Sequence, residues 1–234
     1  AQPGRQAHLI LRGVDYVSDC FVNGHPLGRH EGMFSPQVID VTDLLGDRNR
    51  LAIRLLGSRW LPRDRSDPWL KLLNRIEARI GGLPGRFPDR RDTLKCQMGF
   101  GWDMSPPLRT MGVWDDVSLV QSDDVFVRDL FVQQRFESAA VRLDVAVEVD
   151  SRRPATARLL ATLEGQTFDA APVATEREIA LLPGRNLHTL QLAAPEPRLW
   201  WPWDQGRPDL YRLTVQVLDG HCLLDQVQQS VGLR

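Results

Sequence analysis

Apolar positions along this chain mostly alternate with polar ones, which is the period of a strand with one buried face. The clearest run is Val141, Leu143, Val145, Val147 and Val149, interleaved with Arg142, Asp144, Ala146 and Glu148. Leu159, Ala161 and Leu163 repeat the pattern, as do Leu213, Val215 and Val217. Turn-forming residues separate these runs at Ser151–Pro154, Pro183–Asn186 and Asp219-Gly220. From Val125 onward about seven short strands fit into roughly 110 residues, the signature of an immunoglobulin-like sandwich.

The first half also reads as strands. Val14–Val22 is β-rich and enters Asn23-Gly24, a strong hairpin dipeptide. Gln37–Val41, Arg50–Leu55 and Val117–Val120 are further candidates, and Thr42–Gly46 has room for only a helical turn. One segment breaks the pattern. Asp67 can cap a helix, Pro68 suits its first position and Gly81-Gly82 would end it. Trp69, Leu72, Leu73, Ile76 and Ile80 then share one helical face. The texture changes near Ser122–Asp124, which predicts an all-β chain of two domains: a β-sandwich with one inserted helix over 1–123, and the immunoglobulin-like sandwich over 124–234.

Composition narrows the function classes. The 234 residues are 42% hydrophobic and 25% charged with a net charge of −1, enough for a core and without a global basic field for nucleic acid. Between Arg59 and Arg91 there are nine Lys or Arg against four Asp or Glu, but aromatic interleaving is thin. A solvated helix face and a basic loop account for that run, so no nucleic-acid partner is expected. No stretch approaches the 18 or so apolar residues that span a membrane, and AQPGRQAHLILRG lacks the apolar core of a leader peptide. Cys20, Cys96 and Cys222 are odd in number and far apart, which reads as buried or half-buried free thiols and favours a reducing, cytoplasmic compartment. The five histidines show no metal-ligand spacing, so neither metal nor cofactor is expected.

Catalytic chemistry is hard to place on this chain. Asp115-Asp116 and Asp123-Asp124 are sequence neighbours, and on strands neighbours point to opposite faces, so they read as solvated strand ends rather than a paired acid and nucleophile. No GxSxG elbow, phosphate-cradling glycine loop or HExxH is present. Two aromatic features stand out. Leu199-Trp200-Trp201-Pro202-Trp203-Asp204 offers flat faces that could stack on sugars, while Pro195, Pro197 and Pro202 favour packing at the sandwich end. Residues 99–107, GFGWDMSPP, set Trp102 and Asp103 between two glycines and two prolines, a shaped loop rather than a helix or central strand.

Taken in order, GVDYVSDCFVNGHPLGRHEG (13–32), FSPQVIDVTDLL (34–45), RNRLAIRL (48–55), GVWDDVSLV (112–120), LWWPWDQGRPDLYRLTVQVL (199–218) and VGLR (231–234) resemble glycoside hydrolase family 2, the β-galactosidase, β-glucuronidase and β-mannosidase family. The resemblance implies a sugar-binding jelly roll over 1–123, lacking its first strands, and an immunoglobulin-like sandwich over 124–234. It implies that the catalytic (β/α)8 barrel, with both catalytic glutamates, lies after Arg234, so no catalytic residue is expected in this chain. GFGWDMSPP is similar to the β-mannosidase stretch FGWDWGP, whose loop reaches into the barrel's active site and whose aspartate hydrogen-bonds the sugar. In β-galactosidases a related aspartate helps hold a sodium ion.

By that likeness Asp103 and Trp102 are the substrate-binding candidates, and a carboxylate suits neighbouring hydroxyls because it accepts two charge-assisted hydrogen bonds. Met104 and Ser105 stand where the pattern has Trp and Gly. The implied role is an accessory region of a retaining β-glycosidase. Its partners would be a β-linked carbohydrate and the barrel of the same protein. Alternative readings are a free-standing carbohydrate-binding module and a structural sandwich pair for protein contacts.

Overall fold

The computed structural model describes residues 5–57, 68–79, 90, 93–102, 104–106, 108–137 and 140–234. Two compact units divide the chain, the first of Ala7–Val120 and the second of Gln121–Arg234 joined by Arg5 and Gln6, where the first strand begins.

The first unit opens with strand β1 (Gln6–Leu11), then β2 (Val14–Asp15), β3 (Val17–Val22) and β4 (His25–Glu31). It continues through β5 (Gln37–Asp40), β6 (Leu51–Leu56), helix α1 (Pro68–Arg79), β7 (Gly112–Val113) and β8 (Val117–Ser122). The strands form sheets in the orders β5-β1-β8 and β4-β3-β6, with β2 paired to β7. Ala7, Leu9, Leu11, Val14, Cys20, Val22 and Val41 make the core. Asn23 and Gly24 both take positive φ, 52° and 85°, and the two-residue turn they form sets Val22 opposite His25. Asp19 faces Arg29 of β4 on one side and Arg54 of β6 on the other.

Helix α1 forms where the pattern predicts, although Asp67, Ile80 and Gly81-Gly82 lie outside the described residues. Its apolar face is exposed, with Trp69 at 71% and Ile76 at 47%. Among the described residues no helix is long and apolar enough to cross a membrane.

The second unit is β9 (Val125–Phe136), β10 (Ala140–Ser151), β11 (Ala155–Gly165), β12 (Val173–Leu181), β13 (Gly184–Pro195), β14 (Tyr211–Asp219) and β15 (Cys222–Val231). Its sheets have the orders β13-β10-β9 and β12-β11-β14-β15, the division of an immunoglobulin-like sandwich. Val141, Leu143, Val145, Val147 and Val149 of β10 are buried, and they meet Leu159, Ala161, Leu213, Val215 and Val217 in one core. Tyr211 opens β14, where its hydroxyl accepts a hydrogen bond from the Arg198 backbone N–H at 2.8 Å. Its ring meets Phe168 edge-on at 4.8 Å.

The cysteines are free thiols, as expected, but their burial differs. Cys20 is buried and Cys96 half-buried, whereas Cys222 is exposed because it starts β15 directly after the Gly220 turn. Burial pushes the Cys20 thiol above its ordinary range.

Candidate functional site

The GFGWDMSPP stretch belongs to a loop that leads into β7. A 3₁₀ turn, Gln97–Phe100, drives the Phe100 side chain into the interior, where it is 1% exposed. Gly101 follows at φ 116° and ψ 152°, a conformation that only glycine adopts readily. Trp102 follows this glycine at 62% exposure. Met104 beyond it is 96% exposed. Asp103 and Pro107 lie outside the described residues.

The base of the loop carries a buried charge cluster that sequence reasoning missed. Lys95 and Asp15 form an ion pair with side chains only 2% and 6% exposed. The Lys95 ammonium also donates to the Thr110 carbonyl, and its distance to Thr110 Oγ1 is 3.2 Å. Thr110 Oγ1 donates in turn to Asp15 Oδ2 at 3.3 Å, and the Thr110 N–H donates to the Gly99 carbonyl at 2.9 Å. Asp15 Oδ1 is buried with no hydrogen-bond partner among the described residues. Gly99 packs directly on this cluster: a Cβ there would lie 2.5 Å from Lys95 Cε and 2.9 Å from Thr110 Oγ1. The Leu94 N–H donates to the Tyr16 hydroxyl at 3.1 Å, tying the entry of the loop to the residue between β2 and β3. The only sequence hints were Asp15 inside an apolar run and a lysine just ahead of the glycines.

Aromatic and apolar side chains are also exposed within this loop, just after it and at Phe34. Trp114, 51% exposed, donates its indole N–H to the Met33 carbonyl at 3.0 Å. Phe34 meets it edge-on at 6.1 Å. Met98 and Met111 are each 59% exposed.

The other candidates separate as follows. In the second unit, Trp200 pairs with Pro208 and its N–H donates to the Leu233 carbonyl at 2.8 Å, while the Arg234 guanidinium lies 5.4 Å from its ring centre. Trp200 therefore packs, whereas Trp203 is 86% exposed. Trp200 also lines a groove of about 460 Å³ with Phe131, Leu210, Val231 and Arg234. Asp115 and Asp116 are exposed, and Asp123 and Asp124 pair with Arg5 and Arg153 as solvated ends. Among the described residues no group of His, Cys, Asp and Glu could hold a metal ion. Apart from α1 and Arg90, the basic 59–91 run lies outside the described residues.

Two family models match the chain almost end to end. Residues 1–115 match the "Glycosyl hydrolase 2 galactose-binding domain-like" model and residues 125–234 the "Glycosyl hydrolases family 2" model. Beta-mannosidase B of Thermothelomyces thermophilus is 27% identical over 99% of this chain and 26% of its own length. A mannosylglycoprotein endo-beta-mannosidase of Lilium longiflorum is 28% identical over 89% of this chain and 22% of its own. The crystal structure of a beta-D-mannosidase from Dictyoglomus thermophilum superposes with a TM-score of 0.71 at 26% identity, covering 98% of this chain and 27% of that one. A Bacteroides uniformis beta-glucuronidase shares the fold at a TM-score of 0.71 and 19% identity, over 99% of this chain and 24% of that one. The chain thus spans about a quarter of the length of the relatives it matches. With sugar-binding-type and immunoglobulin-like units in the family's order and matches over nearly its whole length, the chain belongs to glycoside hydrolase family 2.

Proposed function

We propose that this chain is the accessory region of a retaining β-glycosidase of the β-mannosidase type, in which a (β/α)8 barrel of the same protein supplies the nucleophile and the acid/base. Its loop contributes Trp102 and Asp103 to the wall of the sugar subsite. The observation that carries this reading is the exposure of Trp102 directly after the buried Phe100 and the positive-φ Gly101. An indole leaves water only if something covers it, and its flat face suits the C–H face of a sugar ring. The carboxylate of Asp103 would accept hydrogen bonds from adjacent hydroxyls of the same ring. The likeness to β-mannosidases along nearly the entire chain supports the substrate class. The second unit acts as a brace for the barrel, and its exposed Phe131 offers apolar surface for that contact.

Kinetics of the enzyme that carries this chain ahead of its barrel test the reading. Asp103→Ala is expected to lower kcat/KM for an aryl β-mannoside on the order of 100-fold, and Trp102→Ala roughly 10-fold, because both contacts bear on the sugar as it distorts. Unchanged kcat/KM in both variants would sink the proposal and leave a structural sandwich pair.

A further inference from the structure

We propose that Lys95 is a positioning residue: its buried ammonium group sets how the loop presents Trp102. The inference rests on the sugar-subsite reading and concerns what holds that wall in place. Lys95 stands at the start of the loop, Thr110 at its end and Asp15 on β2, so one cation joins both ends of residues 95–110 to the sheet. At 2% exposure the amine is sealed from solvent and cannot itself touch a substrate.

Its donors are used up by Asp15 Oδ2, the Thr110 carbonyl and Thr110 Oγ1. Replacing a buried ion pair by an apolar plug of the same volume is often neutral or stabilising, because two charges lose their hydration, and here Asp15 Oδ1 has no partner among the described residues. Directional hydrogen bonds provide what a plug cannot, a fixed position for each end of the loop. Gly99 extends that control toward the tip. Its carbonyl accepts from Thr110, it has no room for a Cβ beside Lys95 Cε, and Phe100, Gly101 and Trp102 follow it in sequence. The Lys95 ammonium also lies 5.5 Å from the Phe100 ring centre, so the residue that anchors the tip packs on the cluster as well.

The decisive variants separate position from stability. Lys95→Met alone strands a buried carboxylate, so it is combined with Asp15→Asn, which removes both charges. Both charges are kept in Gly99→Ala, which displaces the cluster, and in Thr110→Val, which removes the hydroxyl's hydrogen bonds to Lys95 and Asp15. In the enzyme carrying this chain, the double variant and Gly99→Ala are expected to fold with a cooperative melt. Both should lose kcat/KM for an aryl β-mannoside on the order of 100-fold, mostly in kcat, the scale of a misplaced contact. In the 234-residue chain, acrylamide quenching assigned to Trp102 by difference against Trp102→Phe should rise, with the remaining tryptophans unchanged.

Should the double variant not fold, Gly99→Ala and Thr110→Val decide alone. Wild-type kcat/KM in these variants while Asp103→Ala is impaired overturns the positioning role and keeps the subsite. If Asp103→Ala and Trp102→Ala are also harmless, the subsite reading itself fails. The quenching difference then decides whether Lys95 holds the loop at all, and an unchanged value rejects it.

Discussion

Asp19 sits between Arg29 and Arg54, one on each neighbouring strand, and its carboxyl carries a pH signature. The hydrogen bond from Arg29, then that from Arg54, holds it far below the ordinary carboxylate range, outweighing the opposing effect of burial. An unfolded aspartate titrates near about 3.9, so as pH falls the unfolded chain takes up this proton first. The stabilisation is therefore present in full above about pH 4 and lost as pH drops toward the folded value. Asp19→Asn is expected to lower the melting midpoint at pH 7, with the gap to wild type closing below pH 4 and narrowing in high salt. Thermal melts between pH 3 and pH 7 check this, and a gap constant across the range would reject the assignment.

Residue-level legibility was uneven for a related reason. Trp102 could be picked out because Gly99, Gly101 and the prolines exclude regular structure around it. Lys95 could not, since a lysine in LKCQ ordinarily reads as a solvated side chain, and its partners lie 80 and 15 residues away in sequence.

At the scale of elements, periodicity worked wherever a strand has one wet face. In β10 the buried and half-buried positions alternate as the sequence pattern predicts. It failed for β1, whose residues Gln6–Leu11 are nearly all buried, His8 and Gln6 included, so QAHLIL shows no alternation. It also failed for β4, where HPLGRHE is largely exposed and carries a proline and a glycine, both poor strand formers. Here it is pairing with β3, set by the Asn23-Gly24 turn, that makes the strand. The β-rich run Val14–Val22 divides at Tyr16 into β2 and β3.

The core of the second unit supports a quantitative expectation. Leu213 is fully buried at the centre of its sheet, paired with Leu163 and Gln229. Leu213→Ala should cost about 2–5 kcal/mol, the loss of transfer free energy plus a cavity. Urea denaturation should show the midpoint falling with little change in slope, and a cost under about 1 kcal/mol would mean that the sandwich closes over the gap.

At the scale of the whole chain, each unit presents large apolar side chains to solvent. The first presents Phe34, Trp102, Met104 and Trp114 to solvent, and the second Phe131 and Trp203. Isolated exposed hydrophobics are ordinary in soluble proteins, so the proposed subsite wall is what gives the exposure of Trp102 its meaning. Two occupants are consistent with that chemistry, a sugar polymer or another domain, and they differ in what the isolated 234 residues should do. A free-standing carbohydrate-binding module would keep its affinity alone, whereas a subsite wall binds sugar usefully only when the opposite wall supplies the remaining contacts. The expected result for the isolated chain is therefore no turnover of aryl β-glycosides and no measurable heat with mannan or galactan in titration calorimetry. Binding of mannan that is lost in Trp102→Ala would transfer the function to this chain itself and make the loop a binding site in its own right. Heat that is lost in Trp203→Ala instead would place that site on the sandwich, at the tryptophan cluster whose packing explains Trp200 but not its exposed neighbour.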